Sequence, residues 1–349
     1  MIKAGIIGAG GYAGVNLLSL LLRHPEAEVV WLISEEAHNG KKISELFPHL
    51  TEICDLACGT LADVGKLAKK VDVVFLALPH GMALDYVPRI LKTGAKVVDL
   101  GADYRFSDEK VFKKWYGVEH KDKKVFAEAV FGLPELFRAE IKSALLIGNP
   151  GCYPTASILG LAPLVKKGLI DMDSIIVDAK SGVSGAGRGA KQITLFCERN
   201  EGVMAYSVNN HRHMGEIEFQ VGRLAGYPNT RVTFVPHLMP MSRGILATIY
   251  SQLKTENLKL KTKDLTILYK KFYKDEKFVR VYDTPCTKNV SFTNFCDIGV
   301  AVNEETQTVI VTSVIDNLIK GAAGQAVQNM NIIFGLDEAK GLEQIGVFP

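Results

Sequence analysis

One short segment of the chain combines a nucleophilic residue type with the start of a predicted helix. Cys152 lies in Gly148–Thr155, between a predicted buried strand, Ala144–Ile147, and an apolar helical segment, Ala156–Val165. Gly and Pro mark the turn, and Pro154 suits the first position of a helix. N–H groups and the dipole at a helix N-terminus favour an anion, which lowers a thiol pKa from its usual value near ~8.5. Cys152 is therefore a candidate nucleophile, although a buried hydrophobic role explains a cysteine here equally well.

A second candidate for chemistry is the segment His211–Ile217, which leads into a predicted helix ending near Ala225. His211 and His213 flank an arginine, and Glu216 follows. Two histidines with a carboxylate are typical of acid–base catalysis. On a strand the two histidines would face the same way, which would suit zinc, but the sequence offers no third ligand. We interpret the segment as an acid–base group and expect no metal.

Two glycine-rich loops have the composition of nucleotide-binding loops. Gly8–Gly14 follows a predicted strand, Lys3–Ile7, and precedes a predicted helix, Val15–Arg23. A backbone of this kind can approach a pyrophosphate at the helix N-terminus. Ser181–Gly189 follows another predicted strand, and its N–H groups would suit a phosphate or would simply form a flexible surface loop.

The residues after the second predicted strand, Glu28–Ile33, bear on the kind of dinucleotide. NAD-type sites usually place an acid there to bind the ribose diol. Here Ser34 comes first, Glu35 follows, and Lys41 and Lys42 lie close by in the sequence. Ser34 with a nearby cation would suit the 2′-phosphate of NADP, whereas Glu35 would suit the diol of NAD. We favour NADP.

Arg105 follows a further predicted strand, Lys96–Asp99. The carboxyl ends of strands in α/β sheets are where ligands bind, and a guanidinium can hold an anionic group with two hydrogen bonds. A surface salt bridge is the alternative role for this residue.

The order of the predicted elements indicates two domains. Strands and helices alternate up to residue 148, which predicts a parallel sheet, whereas the later part contains mostly strands, which we expect to be antiparallel. We predict an α/β fold with a Rossmann-type dinucleotide-binding domain over residues 1–148, completed by a C-terminal helix over 317–349. An α+β catalytic and oligomerisation domain is predicted over 149–316. The later strands are predicted at 174–179, 230–236, 244–253, 278–282, 297–302 and 308–314, with one helix at about 263–273.

The composition is that of a globular protein without a nucleic-acid surface. The chain has 349 residues, 47% of them hydrophobic and 23% charged, and its net charge is only +3. The lysines occur in small clusters mixed with acids, so we expect no nucleic-acid partner. Six scattered cysteines without metal spacing favour a reducing compartment, hence the cytoplasm. The apolar stretch Ala4–Leu22 contains five glycines, so we expect neither a signal peptide nor a membrane span.

Four segments together resemble the N-acetyl-gamma-glutamyl-phosphate reductases of arginine biosynthesis. The resemblance implies a Rossmann domain, an α+β catalytic domain like that of aspartate-semialdehyde dehydrogenase, and NADPH as the cofactor. A homo-oligomer, dimer or tetramer, is expected, and the apolar stretch Val309–Thr312 could serve its interface. The four segments span the chain in the family's order: Gly8–Gly14, Gly148–Thr155, Ser181–Arg188 with His211–Glu216, and Asp316–Asn329.

The resemblance also implies roles for single residues. Cys152 is similar to the family nucleophile and His211 to its acid–base partner, with His213 and Glu216 in support at the substrate. One departure is Gly215, which stands where the family often has proline and which loosens the loop in principle. The remaining implied contacts are Arg105 and Asn149 for the acyl phosphate, Gly8, Gly11, Tyr12 and Gly14 for the dinucleotide, and Ser184, Gly185 and Asn317 for its nicotinamide half.

The reaction implied by the resemblance is the NADPH-dependent conversion of N-acetyl-gamma-glutamyl phosphate to N-acetyl-glutamate 5-semialdehyde and inorganic phosphate, through a Cys152 thioester. A related reductase that acts on aspartyl phosphate, or on amino-adipyl phosphate carried on a protein, is the nearest alternative. A dinucleotide-sensing protein without catalysis is an alternative of another class, and it predicts an inert Cys152.

Overall fold

The structure, a computed structural model, describes residues 1–347 and divides into two compact units. The first unit contains Met1–Pro150 and Ala322–Glu343, and the second contains Gly151–Gly321 and the residues from Gln344 onward. In the part of the chain that is described, each unit contains a seven-stranded sheet. The predicted class, a Rossmann-type sheet with a second α+β part, is confirmed.

The sheet of the first unit is parallel. Its strands are β1 Ile2–Ile7, β2 Ala27–Ile33, β3 Cys58–Gly59, β4 Val73–Leu76, β5 Lys96–Asp99, β6 Val130–Phe131 and β7 Leu146–Gly148. They lie in the order β3-β2-β1-β4-β5-β7-β6, so the strand order reverses between β1 and β4, where α/β sheets bind ligands. All four residues of β4 are buried, as expected for a parallel strand covered on both faces.

The helices of the first unit follow the strands. They are α1 Tyr12–Leu21, α2 Ile43–Leu46, α3 Val64–Leu67, α4 Ala83–Leu91, α5 Glu109–Tyr116, α6 Lys123–Glu128 and α7 Pro134–Lys142. The first helix begins at Tyr12, three residues before the predicted start at Val15, because Gly11 takes the N-cap position with an extended backbone. The predicted glycine turn is therefore shorter than expected.

The sheet of the second unit is mixed. Its strands are β8 Ile176–Gly182, β9 Met204–Ala205, β10 Thr233–Met239, β11 Ile245–Gln252, β12 Val279–Val281, β13 Cys296–Asn303 and β14 Thr308–Ile315, in the order β12-β13-β14-β11-β8-β10-β9. The prediction that the later strands are antiparallel is wrong at two pairs, because β10 runs parallel to β8 and β12 runs parallel to β13. A parallel pair needs a long crossover, and fifty residues separate β8 from β10.

One helix, α8, forms the centre of the second unit. The helices of this unit are α8 Cys152–Lys166, α9 Phe196–Arg199, α10 His213–Ala225 and α11 Thr262–Phe272. Every residue of α8 from Tyr153 to Val165 is buried, because the helix packs against β11, β14 and α10. The strands alternate buried and half-buried residues, which shows that one face of the sheet covers this helix.

Pro163 lies inside α8 and removes one backbone donor from the helix. The carbonyl that this donor would have served is that of Leu159, and it accepts a hydrogen bond from the hydroxyl of Tyr273 at 2.5 Å. The Tyr269 hydroxyl binds the neighbouring Gly160 carbonyl, also at 2.5 Å. Two tyrosines thus satisfy backbone acceptors in the core of the unit.

The last helix, α12 Gly324–Ile333, belongs to the first unit and contacts α1 and α7. A π-helical turn over Ile319–Ala323 precedes it. Helical structure therefore ends at Ile333 and does not extend over the whole predicted range 317–349. The segment after α12 closes with Leu342 buried in the core.

Candidate active site

Cys152 is the first residue of α8. Gly151 is the N-cap, with an extended backbone (φ −67°, ψ 155°), and among the described residues no side chain caps this helix start. The sequence predicted that Cys152 would stand just ahead of the helix, with Pro154 as its first residue; instead Pro154 is the third. Because Cys152 is the first residue of α8, its thiol lies in the first turn, where the helix dipole and the N–H groups act most strongly on an anion.

Gly321 makes the space in which the Cys152 side chain lies. A Cβ placed on Gly321 would stand 2.7 Å from the Cβ of Cys152, closer than real side chains approach. The sequence indicated a run of small residues here but did not show which of them faced the cysteine. Gly321 is thus a site residue that sequence reasoning missed.

Glu216 supports the turn before Cys152. It lies in the first turn of α10, is fully buried, and its Oε1 accepts a hydrogen bond from the Gly151 N–H at 2.9 Å. The carbonyl of Gly151 accepts hydrogen bonds from both the N–H and the hydroxyl of Thr155, each at 2.9 Å. Glu216 thus contacts the backbone next to the nucleophile, a role that the sequence did not indicate, and its predicted substrate contact stays a prediction.

His211 lies in an aromatic cluster. Its ring centroid is 5.6 Å from that of Tyr153 and 5.5 Å from those of Tyr206 and Phe234. His211 and His213 do not share a strand, because His213 begins α10, the helix that the sequence predicted after this segment. The backbone N–H of His213 donates to Nδ1 of His211 at 3.2 Å, so the neutral His211 ring carries its proton on Nε2.

The electrostatics of this cluster favour uncharged rings. Burial lowers the pKa of His211 to about 4, and the Arg212 cation adds to the effect. Burial, with a smaller contribution from Cys152, raises the pKa of Tyr206 to about 12. The Tyr153 and Tyr206 hydroxyls are 3.1 Å apart. At neutral pH His211 and Tyr206 are therefore uncharged hydrogen-bonding groups.

The second glycine-rich loop brings three predicted residues together. Asn317 donates from Nδ2 to the Ser184 hydroxyl at 3.0 Å and accepts the Gly244 N–H at 2.7 Å. A Cβ on Gly185 would stand 3.7 Å from the same Nδ2. The loop begins with a short helical turn, Val183–Ala186, whose first two N–H groups bind backbone carbonyls, so this part is not the flexible loop that was the alternative.

The first glycine-rich turn forms a close-packed backbone cradle in the first unit. Gly8 has φ +88°, and a Cβ on it would stand 2.3 Å from the Ala77 carbonyl oxygen. A Cβ on Gly14 would stand 2.2 Å from the carbonyl oxygen of Gly8, whereas one on Gly11 would make an ordinary contact at 3.6 Å. Tyr12 follows as the first residue of α1 and is 36% exposed. In the described chain no side chain caps α1, so this helix start fits a pyrophosphate.

Ser34 directly follows β2 and lies beside this cradle. It is buried, and a Cβ on Gly10 would stand 2.4 Å from its Oγ. The Ser34 hydroxyl lies 2.9 Å from Nδ1 of His38, a residue that sequence reasoning did not consider.

Arg105 and Asn149 are neighbours in the first unit. Gly148 permits this, because a Cβ on it would stand 2.0 Å from the Tyr104 carbonyl oxygen and 3.1 Å from the Arg105 nitrogen. The Arg105 guanidinium donates from Nη2 to the Leu100 carbonyl at 2.8 Å.

Two buried aspartates, Asp99 and Asp103, lie in the same part of the unit as Arg105. Burial, with the charge of Asp103 close by, raises the pKa of Asp99 to about 7, and the Arg105 cation opposes this shift. The guanidinium therefore stands in a low-dielectric setting, where its charge would act strongly on an anion.

The side chain of Asn149 is used within the protein. It is fully buried, donates from Nδ2 to the Ala322 carbonyl at 3.1 Å, and accepts from Asn329 at 3.0 Å. Its predicted contact with the acyl phosphate stays a prediction. Its bonds hold the backbone three residues before Cys152.

Gln325 in α12 is a further buried polar residue that sequence reasoning missed. It is fully buried, and neither polar atom of its side chain has a hydrogen-bond partner among residues 1–347. Buried amides without partners are rare in folded proteins and mark positions that a further group can complete. The sequence signal was a single glutamine among small residues, which alone is uninformative.

Residues 1–347 contain no group of three or more His, Cys, Asp or Glu side chains that could hold a metal ion. Within the same residues, none of the helices is both long and apolar enough to cross a membrane.

Comparisons with known proteins define the class first. Residues 3–144 match the family described as "Semialdehyde dehydrogenase, NAD binding domain", and residues 152–317 match "Semialdehyde dehydrogenase, dimerisation domain". The chain is thus an oxidoreductase of the semialdehyde dehydrogenase class, with a dinucleotide-binding domain and a domain that indicates an oligomer.

Solved structures show the same fold. Aspartate semialdehyde dehydrogenase II from Vibrio cholerae, complexed with ASA, superimposes with a TM-score of 0.73 at 15% identity, covering 96% of this chain and 98% of that one. Aspartate semialdehyde dehydrogenase with NADP from Candida albicans gives 0.70 at 17% identity, with the same coverages.

Curated relatives narrow the class to one family. N-acetyl-gamma-glutamyl-phosphate reductase of Geobacter sp. (strain M21) is 53% identical over 353 residues, and that of Desulforudis audaxviator (strain MP104C) is 52% identical; both alignments cover all of each chain. The chain therefore belongs to the N-acetyl-gamma-glutamyl-phosphate reductase family. The resemblance predicted from the four segments is confirmed.

Proposed function

We propose that the protein reduces N-acetyl-gamma-glutamyl phosphate to N-acetyl-glutamate 5-semialdehyde, with release of inorganic phosphate and with NADPH as reductant, in arginine biosynthesis. The observation that carries the proposal is Cys152 in the first turn of α8, followed by Tyr153, whose ring centroid lies 5.6 Å from that of His211. The family membership supplies the substrate.

The first step uses Cys152 and the start of α8. The thiolate attacks the acyl carbon, a carbon–sulfur bond forms, and the phosphate leaves with the electron pair of the broken C–O bond. N–H groups of the first helical turn lie where they can donate to the oxyanion of the tetrahedral intermediate. Glu216 fixes this turn through the Gly151 N–H. A thioester on Cys152 remains.

The second step uses His211. When bound, the reduced nicotinamide supplies the hydride for the thioester carbonyl. His211 presents an Nε2 proton, because its Nδ1 accepts the His213 N–H. That proton donates a hydrogen bond to the oxygen that becomes negative as the thiohemiacetal forms. Collapse of the thiohemiacetal breaks the C–S bond, releases the aldehyde and returns the thiolate to Cys152.

The remaining residues bind and position. We assign the phosphate of the substrate to Arg105 and a supporting substrate contact to His213. Asn149 and Glu216 are assigned to holding the Cys152 turn. The dinucleotide is assigned to two sets of residues: Gly8, Gly11, Tyr12, Gly14 and Ser34 for its phosphate and adenosine part, and Ser184, Gly185 and Asn317 for its nicotinamide part.

The assignment to whole domains follows the same division. Residues 1–148 with 317–349 are assigned to dinucleotide binding, and residues 149–316 to catalysis and association of subunits. The oligomer is proposed to be a dimer or a tetramer of identical chains. A cytoplasmic location is proposed from the scattered cysteine pattern.

The reaction run in reverse tests the proposal. Protein, NADP⁺, phosphate and N-acetyl-glutamate 5-semialdehyde are mixed, and absorbance of the reduced cofactor is followed, with Cys152→Ser as the matched control. Phosphate-dependent reduction of NADP⁺ by the normal protein alone is expected. Activity with aspartate semialdehyde in place of the acetylated aldehyde would transfer the assignment to an aspartyl-phosphate reductase. Absence of activity with both aldehydes would contradict the proposal.

A further inference from the structure

We propose that His38, acting with Ser34, recognises the 2′-phosphate of the dinucleotide and so determines the preference for NADPH over NADH. The inference rests on the proposed function for the presence of a dinucleotide. It adds a specificity-determining residue that the sequence pattern did not indicate. The sequence offered Ser34 with a nearby cation, Lys41 or Lys42, for NADP, or Glu35 for NAD.

The first observation is the placement of the pair at the end of β2. Nδ1 of His38 lies 2.9 Å from the Ser34 hydroxyl. Backbone bonds fix the turn that carries the ring: His38 N–H donates to the Glu35 carbonyl at 2.8 Å, and Gly40 N–H donates to the Cys58 carbonyl at 2.8 Å. The imidazole therefore stands on an ordered turn.

The second observation is the contact with the glycine-rich turn. A Cβ on Gly10 would stand 2.4 Å from the Ser34 Oγ and 3.2 Å from Nδ1 of His38. The pair thus lies directly against the turn that leads into α1. In sheets of this type, a dinucleotide with its pyrophosphate at that turn extends its adenosine ribose toward the end of β2. The pair therefore stands at the end of the sheet toward which the ribose would extend.

The third step concerns the shared proton. In a cationic imidazole both ring nitrogens donate, so Nδ1–H must donate to the Ser34 oxygen. The Ser34 hydroxyl hydrogen is then directed away from the ring and becomes a donor for an external anion. Protonation of His38 therefore supplies a positive charge and a second donor together, which is the pair of groups that a phosphate dianion requires.

The charges around the pair are mixed. On the same turn Glu35 and Glu36 are exposed and would repel a phosphate, while Lys41 follows in the sequence and is also exposed. Lys42 is engaged with Asp55 at 2.7 Å. From the neighbouring strand β3 the titratable group is the buried Cys58 thiol, and the glycine-rich turn contributes no charged side chain. Of these groups, His38 is the one that contacts Ser34.

The experiment compares cofactor binding to the normal protein and to His38→Gln. Dissociation constants for NADPH and NADH are measured from nicotinamide fluorescence between pH 5.5 and 8. His49→Gln is the matched control, because His49 is an exposed histidine of the same unit. Ser34→Ala tests the second member of the pair, and thermal unfolding confirms that each variant is folded.

The expected result is a selective loss of NADPH affinity. His38→Gln should weaken NADPH binding about tenfold, because the glutamine cannot bring a positive charge to the 2′-phosphate. The two proteins are compared at each pH because the 2′-phosphate itself titrates near pH ~6. NADH binding should be unchanged in His38→Gln, and His49→Gln should match the normal protein.

Three outcomes separate the inference from the proposed function. Equal NADPH affinity and equal pH profiles for the normal protein and His38→Gln overturn the inference. Tighter binding of NADH than of NADPH by the normal protein also overturns it, while turnover with NADH leaves the reductase function standing. Failure of the folded protein to bind either dinucleotide contradicts both.

Discussion

Two glycine-capped helix starts, those of α1 and α8, use one local device for two kinds of anion. In both, a glycine with an extended backbone takes the N-cap position: Gly11 (φ −87°, ψ 165°) before α1 and Gly151 (φ −67°, ψ 155°) before α8. Across the described chain neither helix has a side-chain cap at this end. The helix dipole and the first N–H groups are therefore available to a ligand or to a thiolate.

The two helix starts differ in which residues make room for the turn before the helix. Before α1 the glycine motif itself supplies the space: Gly14 makes room for the carbonyl oxygen of Gly8, and Gly8 makes room for that of Ala77. Before α8 the supporting residues are distant in sequence: Gly321 makes room for Cys152, and Glu216 binds the Gly151 N–H. A cofactor-binding turn is thus encoded by a short glycine motif, whereas the nucleophile's turn depends on the fold of its whole unit.

The largest effect should come from replacing the nucleophile at the start of α8, because the start of α1 carries none. Cys152→Ser leaves the helix start intact but replaces the thiol by a hydroxyl that does not ionise near neutral pH. We expect turnover to fall by about 10³-fold or more. NADPH affinity, which depends on the other turn, should be unchanged. Steady-state rates and fluorescence binding test this, and near-normal turnover of the serine variant would rule out the covalent step.

His211→Asn should slow turnover by about 10²–10⁴-fold, because the Nε2 proton for the developing oxyanion is lost. The same residue affects stability. Burial lowers its pKa to about 4, so between that pH and the ordinary value near ~6.5 the unfolded chain binds a proton that the folded chain does not. The stability contribution is therefore lost as pH falls from 6.5 toward 4, by at most about 1.4 kcal/mol per pH unit.

Urea unfolding of the normal protein and of His211→Asn at several pH values between 4.5 and 7 measures that slope. The asparagine variant should show a weaker decline of the free energy of unfolding toward acid pH. His49→Gln, an exposed histidine, should behave as the normal protein does. If His213→Asn impairs turnover and His211→Asn does not, the roles of the two histidines are reversed.

The glycine turn before α1 can be tested with two alanines. A methyl group on Gly14 would stand 2.2 Å from the Gly8 carbonyl oxygen, so Gly14→Ala should lower the free energy of unfolding by about 1–3 kcal/mol and abolish tight NADPH binding. A methyl group on Gly11 meets the nearest backbone at 3.6 Å. Gly11→Ala should cost less than about 1 kcal/mol while weakening NADPH binding about tenfold, because the pyrophosphate approaches this backbone.

Denaturant unfolding and fluorescence binding on the same samples separate the two effects. A Gly11→Ala protein that binds NADPH normally would contradict the assignment of this turn to the pyrophosphate. A Gly14→Ala protein of normal stability would show that the backbone approach is looser than the structure gives it.

The long-range support of the α8 turn is tested by Glu216→Gln. Gln can still accept the Gly151 N–H, but a neutral acceptor binds about half as strongly as a charged one. We expect kcat to fall about tenfold with little change in KM. Glu218→Gln is the matched control, because Glu218 lies on the same helix and accepts the Val232 N–H at 3.2 Å. Equal kcat values for the two variants would remove the positioning role of Glu216.

The sequence predicted local features well and distant pairings poorly. The strand–glycine–helix pattern at Gly8–Gly14 and the position of Cys152 at a helix start follow from residue order within a dozen residues. The parallel pairing of β10 with β8 does not, because each strand alternates buried and half-buried residues in the same way whichever direction its neighbour runs.

The site shows the same limit. Nothing near Cys152 in the sequence indicates that Gly321 faces it, or that Glu216 serves the Gly151 N–H. Asn149 was expected at the substrate, yet its amide lies buried between Ala322 and Asn329. Hydrogen-bond partners of this kind are set by the packed fold, which the order of residue types does not reveal.

The smallest effect is expected from a change at the interior of α8, where Pro163 interrupts the helical hydrogen bonds. Pro163 leaves the Leu159 carbonyl without its helical donor, and the Tyr273 hydroxyl replaces that donor at 2.5 Å. Tyr273→Phe removes the hydroxyl and little else, so the free energy of unfolding should fall by about 1–2 kcal/mol, the cost of leaving a buried carbonyl unsatisfied.

Replacing Pro163 by Ala in the same chain restores a backbone N–H, and the double variant should recover most of that loss. Denaturant unfolding of the two single variants and the double variant measures the coupling. Additive losses would show that Tyr273 stabilises the unit through its packing and not through the proline-exposed carbonyl.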